Sequence, residues 1–235
     1  MNIPQGIRFG HIDAAIMDTG PGWFAHTLAD ADVVMAEVDG GRIYYQATAW
    51  VSVDNNEIDS IDDVLGKKVS FTSQTGSSGF IRPFGTLVSE GHVAVNGDDA
   101  VALQDAIDSA FASHAFPGSY GGAADLLVRG QVDVAFGNDR LHTYLEDEDR
   151  GLIKPAFTIG PVPSHVLVVS SDMSENTRKA LIDAMLELNT DEYNDILLAL
   201  YGADAMLPTT TVLHLASFGE NLSALPGFDD RLLGR

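Results

Sequence analysis

The sequence predicts an α/β fold, on three observations. Short apolar runs of strand length alternate along the chain with stretches of helical periodicity. Two of those runs end in loops of glycine, serine and threonine that open a helix, the arrangement in which open α/β sheets place their ligands. Hydrophobic residues make up 45% of the 235 positions, enough to bury a core. The length suits one large domain or two small ones, at roughly 100–200 residues per domain.

The elements follow in order. Residues 13–17 read as a buried strand, followed by a Gly20-Pro21-Gly22 turn and a short helix over 23–29. Residues 33–38 form a second strand, and 44–53, rich in aromatic and β-branched side chains, an extended run. Residues 60–65 make a helical turn with Gly66 as its stop. A strand over 68–72 runs into the small-residue loop 73–79, and a helix carries on to residue 90. Helical periodicity returns at 98–113, 119–129 and 139–146, with a buried strand at 132–136. Residues 156–159 and 166–169 are extended, 174–188 and 191–201 are helical, and signals beyond Pro208 are weak. The acidic stretch 54–63 is a candidate crossover between lobes and 160–164 a candidate return. The expected organisation is a partial first lobe over 1–53, a second lobe over 54–160, and a return to the first lobe with C-terminal helices over 161–235.

Charge narrows the function. Thirteen Lys and Arg against thirty-four Asp and Glu give a net charge of −21, which disfavours nucleic acid and anionic membranes as partners. Such an acidic shell fits a salty environment, where ions screen self-repulsion, or a merely acidic protein. There is no cysteine, so disulfides, thiolate catalysis and cysteine-based metal sites are excluded. No apolar run approaches the ~20 residues of a membrane-spanning helix. The first nine residues lack a secretory signal pattern.

The feature richest in chemistry is Ser73-Gln74-Thr75-Gly76-Ser77-Ser78-Gly79, between a strand and a helix. Glycines let successive N–H groups turn inward, the hydroxyls of Thr75, Ser77 and Ser78 add donors, and the helix N-terminus adds partial positive charge. The combination suits a tetrahedral oxyanion without Lys or Arg. The same residues also read as a plain helix cap and turn. Gly118-Ser119-Tyr120-Gly121-Gly122 opens another helix and offers N–H groups and a phenol, or equally a cap with a surface tyrosine.

Other motifs are weak. Gly20-Pro21-Gly22-Trp23-Phe24-Ala25 matches the glycine pattern of a dinucleotide loop, with Glu37 and Asp39 downstream, but Pro21 stiffens the turn and the following helix is short. The seven histidines form no metal-binding spacing, and neither a nucleophile elbow nor a P-loop is present. No catalysis, cofactor or metal is expected. Trp50 reads as core.

Five segments, in order, resemble the phosphate, phosphite and phosphonate substrate-binding proteins of ABC transporters. They are Arg8-Phe9-Gly10-His11-Ile12-Asp13-Ala14-Ala15, Ile61 to Val69, Gly76 to Pro83, Gly118-Ser119-Tyr120 with Gly130 to Ala135, and Gly160 to His165. The resemblance runs from about Arg8 to Leu188. It implies a type II periplasmic-binding-protein fold, two α/β lobes closing on a ligand cleft, with the first lobe incomplete. It implies a monomer that binds a phosphonate, phosphite or phosphate and docks on a permease outside the cytoplasm. The oxyanion would be held by Thr75, Gly76, Ser77, Ser78 and Gly79, with Thr19, Tyr45, Tyr120, Asn138 and Asp139 nearby. Tyr120 stands where the family has histidine, and Gly121 where some aminophosphonate binders have an acid. The family's opening strand and helix precede Arg8, so truncation, with loss of a signal or anchor, is expected. A sensor module of the same fold and a binder of a sulfonate or other organic anion are the alternatives.

Overall fold

The computed structural model describes residues 3–223 and 225–228, without the side chains of 200 and 201. The chain divides into two compact units. One comprises Met1–Tyr45 and Pro163–Gly219; the other comprises Gln46–Val162 and Glu220–Arg235.

The first unit opens with α1 (Ile3–Arg8), β1 (Ala14–Met17), α2 (Thr19–Ala29) and β2 (Asp32–Val38). Helix α2 starts at Thr19, four residues earlier than the sequence suggests. Asp18 caps it by accepting from the Thr19 N–H, and Pro21 lies in the first turn, where its missing N–H costs nothing. Gly20 and Gly22 are therefore helical and buried, and do not form a phosphate-wrapping loop. A Cβ on Gly22 would come within 2.8 Å of Val166 Cγ2, so close packing explains that glycine.

The second unit begins within β3 (Tyr44–Ser52), and the acidic stretch 54–63 lies inside it. Next come a 3-10 turn at Asp62–Val64, β4 (Lys68–Ser70), a π turn at Ser77–Ile81 and α3 (Arg82–Ser89). Then follow α4 (Ala100–Ala110), β5 (Ser113–Ala115), α5 (Tyr120–Val128), β6 (Val134–Asn138) and β7 (Ile153–Pro163). The 139–146 region is only a 3-10 turn, Leu141–Tyr144. Strand β5 differs from the sequence expectation, which ends a helix at Ser113 and assigns no element to residues 114–115. Its three residues are held by parallel pairing with β4, a long-range contact that local propensity does not report. Strand β7 has eleven residues, where only 156–159 looked extended.

The chain returns through β8 (Val166–Val169), α6 (Glu175–Glu187), α7 (Asn194–Tyr201), β9 (Ala205–Pro208) and α8 (Thr211–Ser223). Helix α8 lies in the tail beyond Pro208, where sequence signals are weak, and β9 ends at Pro208 itself. Residues 224 and 229–235 of the expected C-terminal segment lie outside the described residues.

Sheet one is antiparallel, in the order β1-β8-β2-β9. Its central strand β8 sends Val166 and Val168 into one cluster, with Met17, Ala25 and Leu215, and Leu167 and Val169 into another, with Met35, Leu197 and Met206. Both faces are covered, so β8 reads as a continuous apolar run. Sheet two runs β5-β4-β6-β3-β7, with β4 parallel to β5 and β6, and β3 antiparallel to β6. One face carries Trp50, Ala124, Leu127 and Leu141. Against Phe136 of β6 stacks Phe71, which also meets Phe80, Phe111 and Phe116.

Candidate functional site

Strands β4 and β6 are parallel, so their carboxyl ends lie together at one end of sheet two. After β4 the chain passes through Phe71 and Thr72 into the 73–79 loop. Thr72 is buried, and the loop folds over its side chain. A Cβ on Gly76 would lie 2.3 Å from Thr72 Oγ1, and one on Gly79 would lie 2.0 Å from it. Neither position tolerates a side chain without movement. The Thr72 carbonyl accepts from the Gly118 N–H at 2.7 Å, so one residue holds both glycine-rich segments.

The helix following the loop opens with a π turn rather than an α turn. Gly76 is its cap, with no side-chain bond, and its carbonyl accepts from both Phe80 and Ile81 N–H groups. Ser77, Ser78 and Gly79 are buried in this first turn. N–H groups in a first helical turn lie outside the regular ladder and carry the positive end of the dipole. Thr75 and Gly76 are partly buried at the loop's edge.

Helix α5 faces this turn. Ser119 caps it by accepting from the Gly122 N–H at 3.0 Å, which places Tyr120 at its first position. Tyr120 Oη lies 2.8 Å from Ser78 Oγ. The Tyr120 ring stacks on Tyr144, with centroids 5.0 Å apart, and Asn138 Nδ2 donates to Tyr144 Oη at 3.3 Å. Trp50 Nε1 donates to the Asn138 carbonyl at 2.9 Å, and the Asn138 side-chain oxygen accepts from the Arg140 N–H. Ser78, Tyr120 and Asn138 thus form one connected network. Its middle member, Tyr144, was not singled out in the sequence, where it lies in an ordinary polar stretch. Asp139 follows directly and is partly buried. Trp50 is core, as expected.

The first unit holds Thr19 and Tyr45. Thr19 is fully buried, and its hydroxyl donates to the Pro163 carbonyl at 2.5 Å, while its N–H is taken by Asp18. Tyr45 is partly buried at the start of β3. Nearby in the same unit, Ser164 donates its N–H to Ile43 and its hydroxyl to the Glu37 carbonyl, and its own carbonyl meets His214 Nε2 at 3.0 Å. Glu37 is buried and lies 2.5 Å from His165 Nδ1. Burial opposes the charge on His165, but the bond to Glu37 and the charges of Asp18 and Glu37 outweigh it and raise its pKa. Burial lowers that of His214. Neither histidine belongs to a metal cluster; among the described residues no such cluster occurs.

Comparison with known proteins agrees with this architecture. Residues 2–211 match the family described as ABC transporter, phosphonate, periplasmic substrate-binding protein. The phosphate-import protein PhnD of Mycolicibacterium smegmatis is 28% identical over 162 residues, 65% of this chain. The chain spans only 46% of that relative's length. Among solved structures, a Xanthomonas citri protein bound to chloride superposes with a TM-score of 0.75 at 16% identity, covering 99% of this chain and 82% of the other. A binding-protein component of an ABC phosphonate transporter from Pseudomonas aeruginosa gives 0.70 at 19% identity, covering 99% and 81%. These two likenesses show that the chain has the α/β fold of periplasmic binding proteins, as the family resemblance implies. The chain belongs to the phosphonate-binding family of periplasmic substrate-binding proteins of ABC transporters.

Proposed function

We propose that this protein is the solute-binding component of an ABC importer and captures a small phosphorus oxyanion: a phosphonate, phosphite or phosphate. The observation that carries this reading is the buried first turn Ser77-Ser78-Gly79, folded over Thr72 and bonded through Ser78 to Tyr120. Such a turn offers N–H and hydroxyl donors at the positive end of a helix, which suits a tetrahedral anion in a protein whose surface is otherwise acidic.

In this reading the two compact units serve as the two lobes. Thr75, Gly76, Ser77, Ser78 and Gly79 hold the anion, and Tyr120, Asn138 and Asp139 line its surroundings. Thr19 acts by holding Pro163. The protein performs no catalysis. It works outside the cytoplasm as a monomer that delivers ligand to a permease. Family membership and the name of the mycobacterial relative, a phosphate-import protein, support this assignment.

Calorimetric titration in high salt against methylphosphonate, phosphite, phosphate, 2-aminoethylphosphonate and sulfate tests it. Tight 1:1 binding of one phosphorus oxyanion, with sulfate silent, is expected. A folded sample that is silent across the panel would redirect the assignment to sulfonates, other organic anions or a sensor role.

A further inference from the structure

Arg82 sits in surroundings that the fold does not explain. It opens α3, directly behind the π turn, and its N–H bonds back to the Ser77 carbonyl. The side chain is partly buried, and its Nε is shielded from solvent with no hydrogen-bond partner among the described residues. Burial pulls its pKa down, against the charge of Glu90. Other arginines are provided for. Arg129, Arg150 and Arg178 bond to Asp125, Asp147 and Asp32, and Arg8 and Arg42 lie over Phe9 and Tyr44. In a chain with thirty-four carboxylates, it is notable that none described is bonded to Arg82. Withdrawing a cation from water without an anion is costly.

Its position gives the reason. The guanidinium lies on β7: a Cβ on Gly160 would come within 2.4 Å of Arg82 Nη2 and 3.1 Å of Nε. Two backbone bonds, Val53 N–H to the Leu152 carbonyl and Ser164 N–H to the Ile43 carbonyl, run β7 antiparallel to β3. They bring Gly160 level with the first residues of β3, and there Ala47 pairs with Asn138 at the end of β6. Gly160, Ala47 and Asn138 therefore form a row across the end of sheet two where β4 gives way to the 73–79 loop. A helical side chain also leans toward its own N-terminus, which for Arg82 is the turn containing Ser78.

We propose that Arg82 supplies the positive charge against which the bound oxyanion is held, and that it makes the site prefer a doubly charged anion over a singly charged one. This rests on the oxyanion reading given above. Backbone and hydroxyl donors recognise oxygen atoms but barely count charge, whereas a fixed guanidinium in a partly dry setting does. It also offsets, locally, the repulsion that the −21 surface exerts on any anion.

The test compares methylphosphonate with methanesulfonate, of similar shape but one charge fewer, at a pH where the phosphonate is a dianion. Calorimetry is done on wild type, Arg82→Gln and Arg82→Met, with circular dichroism confirming the fold. Both variants are expected to weaken methylphosphonate at least ~10-fold and methanesulfonate much less, so that the preference collapses. In wild-type protein the assigned Arg82 Nε–H resonance is expected to shift on saturation with methylphosphonate, a readout that needs no variant. A wild type that binds methylphosphonate while the variants bind it equally well, or while that resonance stays still, overturns the role of Arg82 alone. Where phosphate or phosphite binds instead, it takes the place of methylphosphonate in the comparison, with methanesulfonate still the singly charged control; a wild type that binds none of these overturns the oxyanion reading and this proposal with it.

Discussion

Ser78 Oγ and Tyr120 Oη stand 2.8 Å apart, so a single hydrogen bond ties the first turn of one helix to the first turn of another. The bond aligns the hydroxyl of Ser78 and holds the Tyr120 ring on Tyr144. Removing either partner should lower anion affinity, and removing both should cost little more than removing one. A double-mutant cycle of Ser78→Ala and Tyr120→Phe is expected to give a coupling of about 0.5–1.5 kcal/mol in binding. Strict additivity would mean that the bond does not shape the site. The broader change Ser77→Ala with Ser78→Ala should cost at least ~2 kcal/mol of binding, from two charge-assisted bonds.

Gly76 is a glycine because of Thr72. Its backbone, at φ −68° and ψ 119°, suits any residue, so only space forbids a side chain. Gly76→Ala should destabilise the protein by about 1–3 kcal/mol through the clash with Thr72 Oγ1. Adding Thr72→Ala removes that atom and should restore part of the loss. Denaturant unfolding of the two single variants and the double variant checks this, and the absence of any rescue would place the strain elsewhere.

Stability should respond to pH through His165. Its folded pKa is raised, so its contribution is complete below the unfolded value of about 6.5 and is lost as pH rises through the folded value. His214 works the other way, because burial lowers its pKa. Its contribution is complete above about 6.5 and is lost as pH falls. Glu37→Gln isolates the first effect. Its melting temperature should fall furthest below wild type in the acidic range and approach wild type in the alkaline range. A gap that stays constant from about pH 5 to 9 would show that Glu37 supports the fold without sensing the proton on His165.

Thr48 gives a prediction of opposite sign. It is buried opposite Gly137, and its hydroxyl has no partner among the described residues. Thr48→Val keeps the shape and removes an unsatisfied group, so stability should hold or rise by up to about 1–3 kcal/mol. A thermal melt decides, and a clear loss would mean that the hydroxyl holds a buried water.

The α/β class, the family and most element positions were legible because strand runs, caps and glycine loops are local signals. Ser119 caps its helix through a bond to a near neighbour, and such a pair can be read along a line of sequence. Partners set by tertiary contact could not. Nothing around Tyr144 announces that it stacks on Tyr120, and nothing around residues 113–115 announces a strand until β4 is beside it. Arg82 is the sharpest case. The loop seemed to need no cation, and only the buried Nε and the contact with Gly160 single that residue out.

The two tryptophans fall one to each unit, and this provides the protein with built-in optical probes. Trp50 is nearly solvent-free and bonded to the backbone of Asn138, so its emission should be blue-shifted and should change when that strand end is perturbed. Trp23 belongs to the other unit, where its ring lies 5.9 Å from that of His26. Trp23→Phe and Trp50→Phe therefore leave single-reporter proteins, and their fluorescence during denaturation would tell whether the two units melt together or in turn.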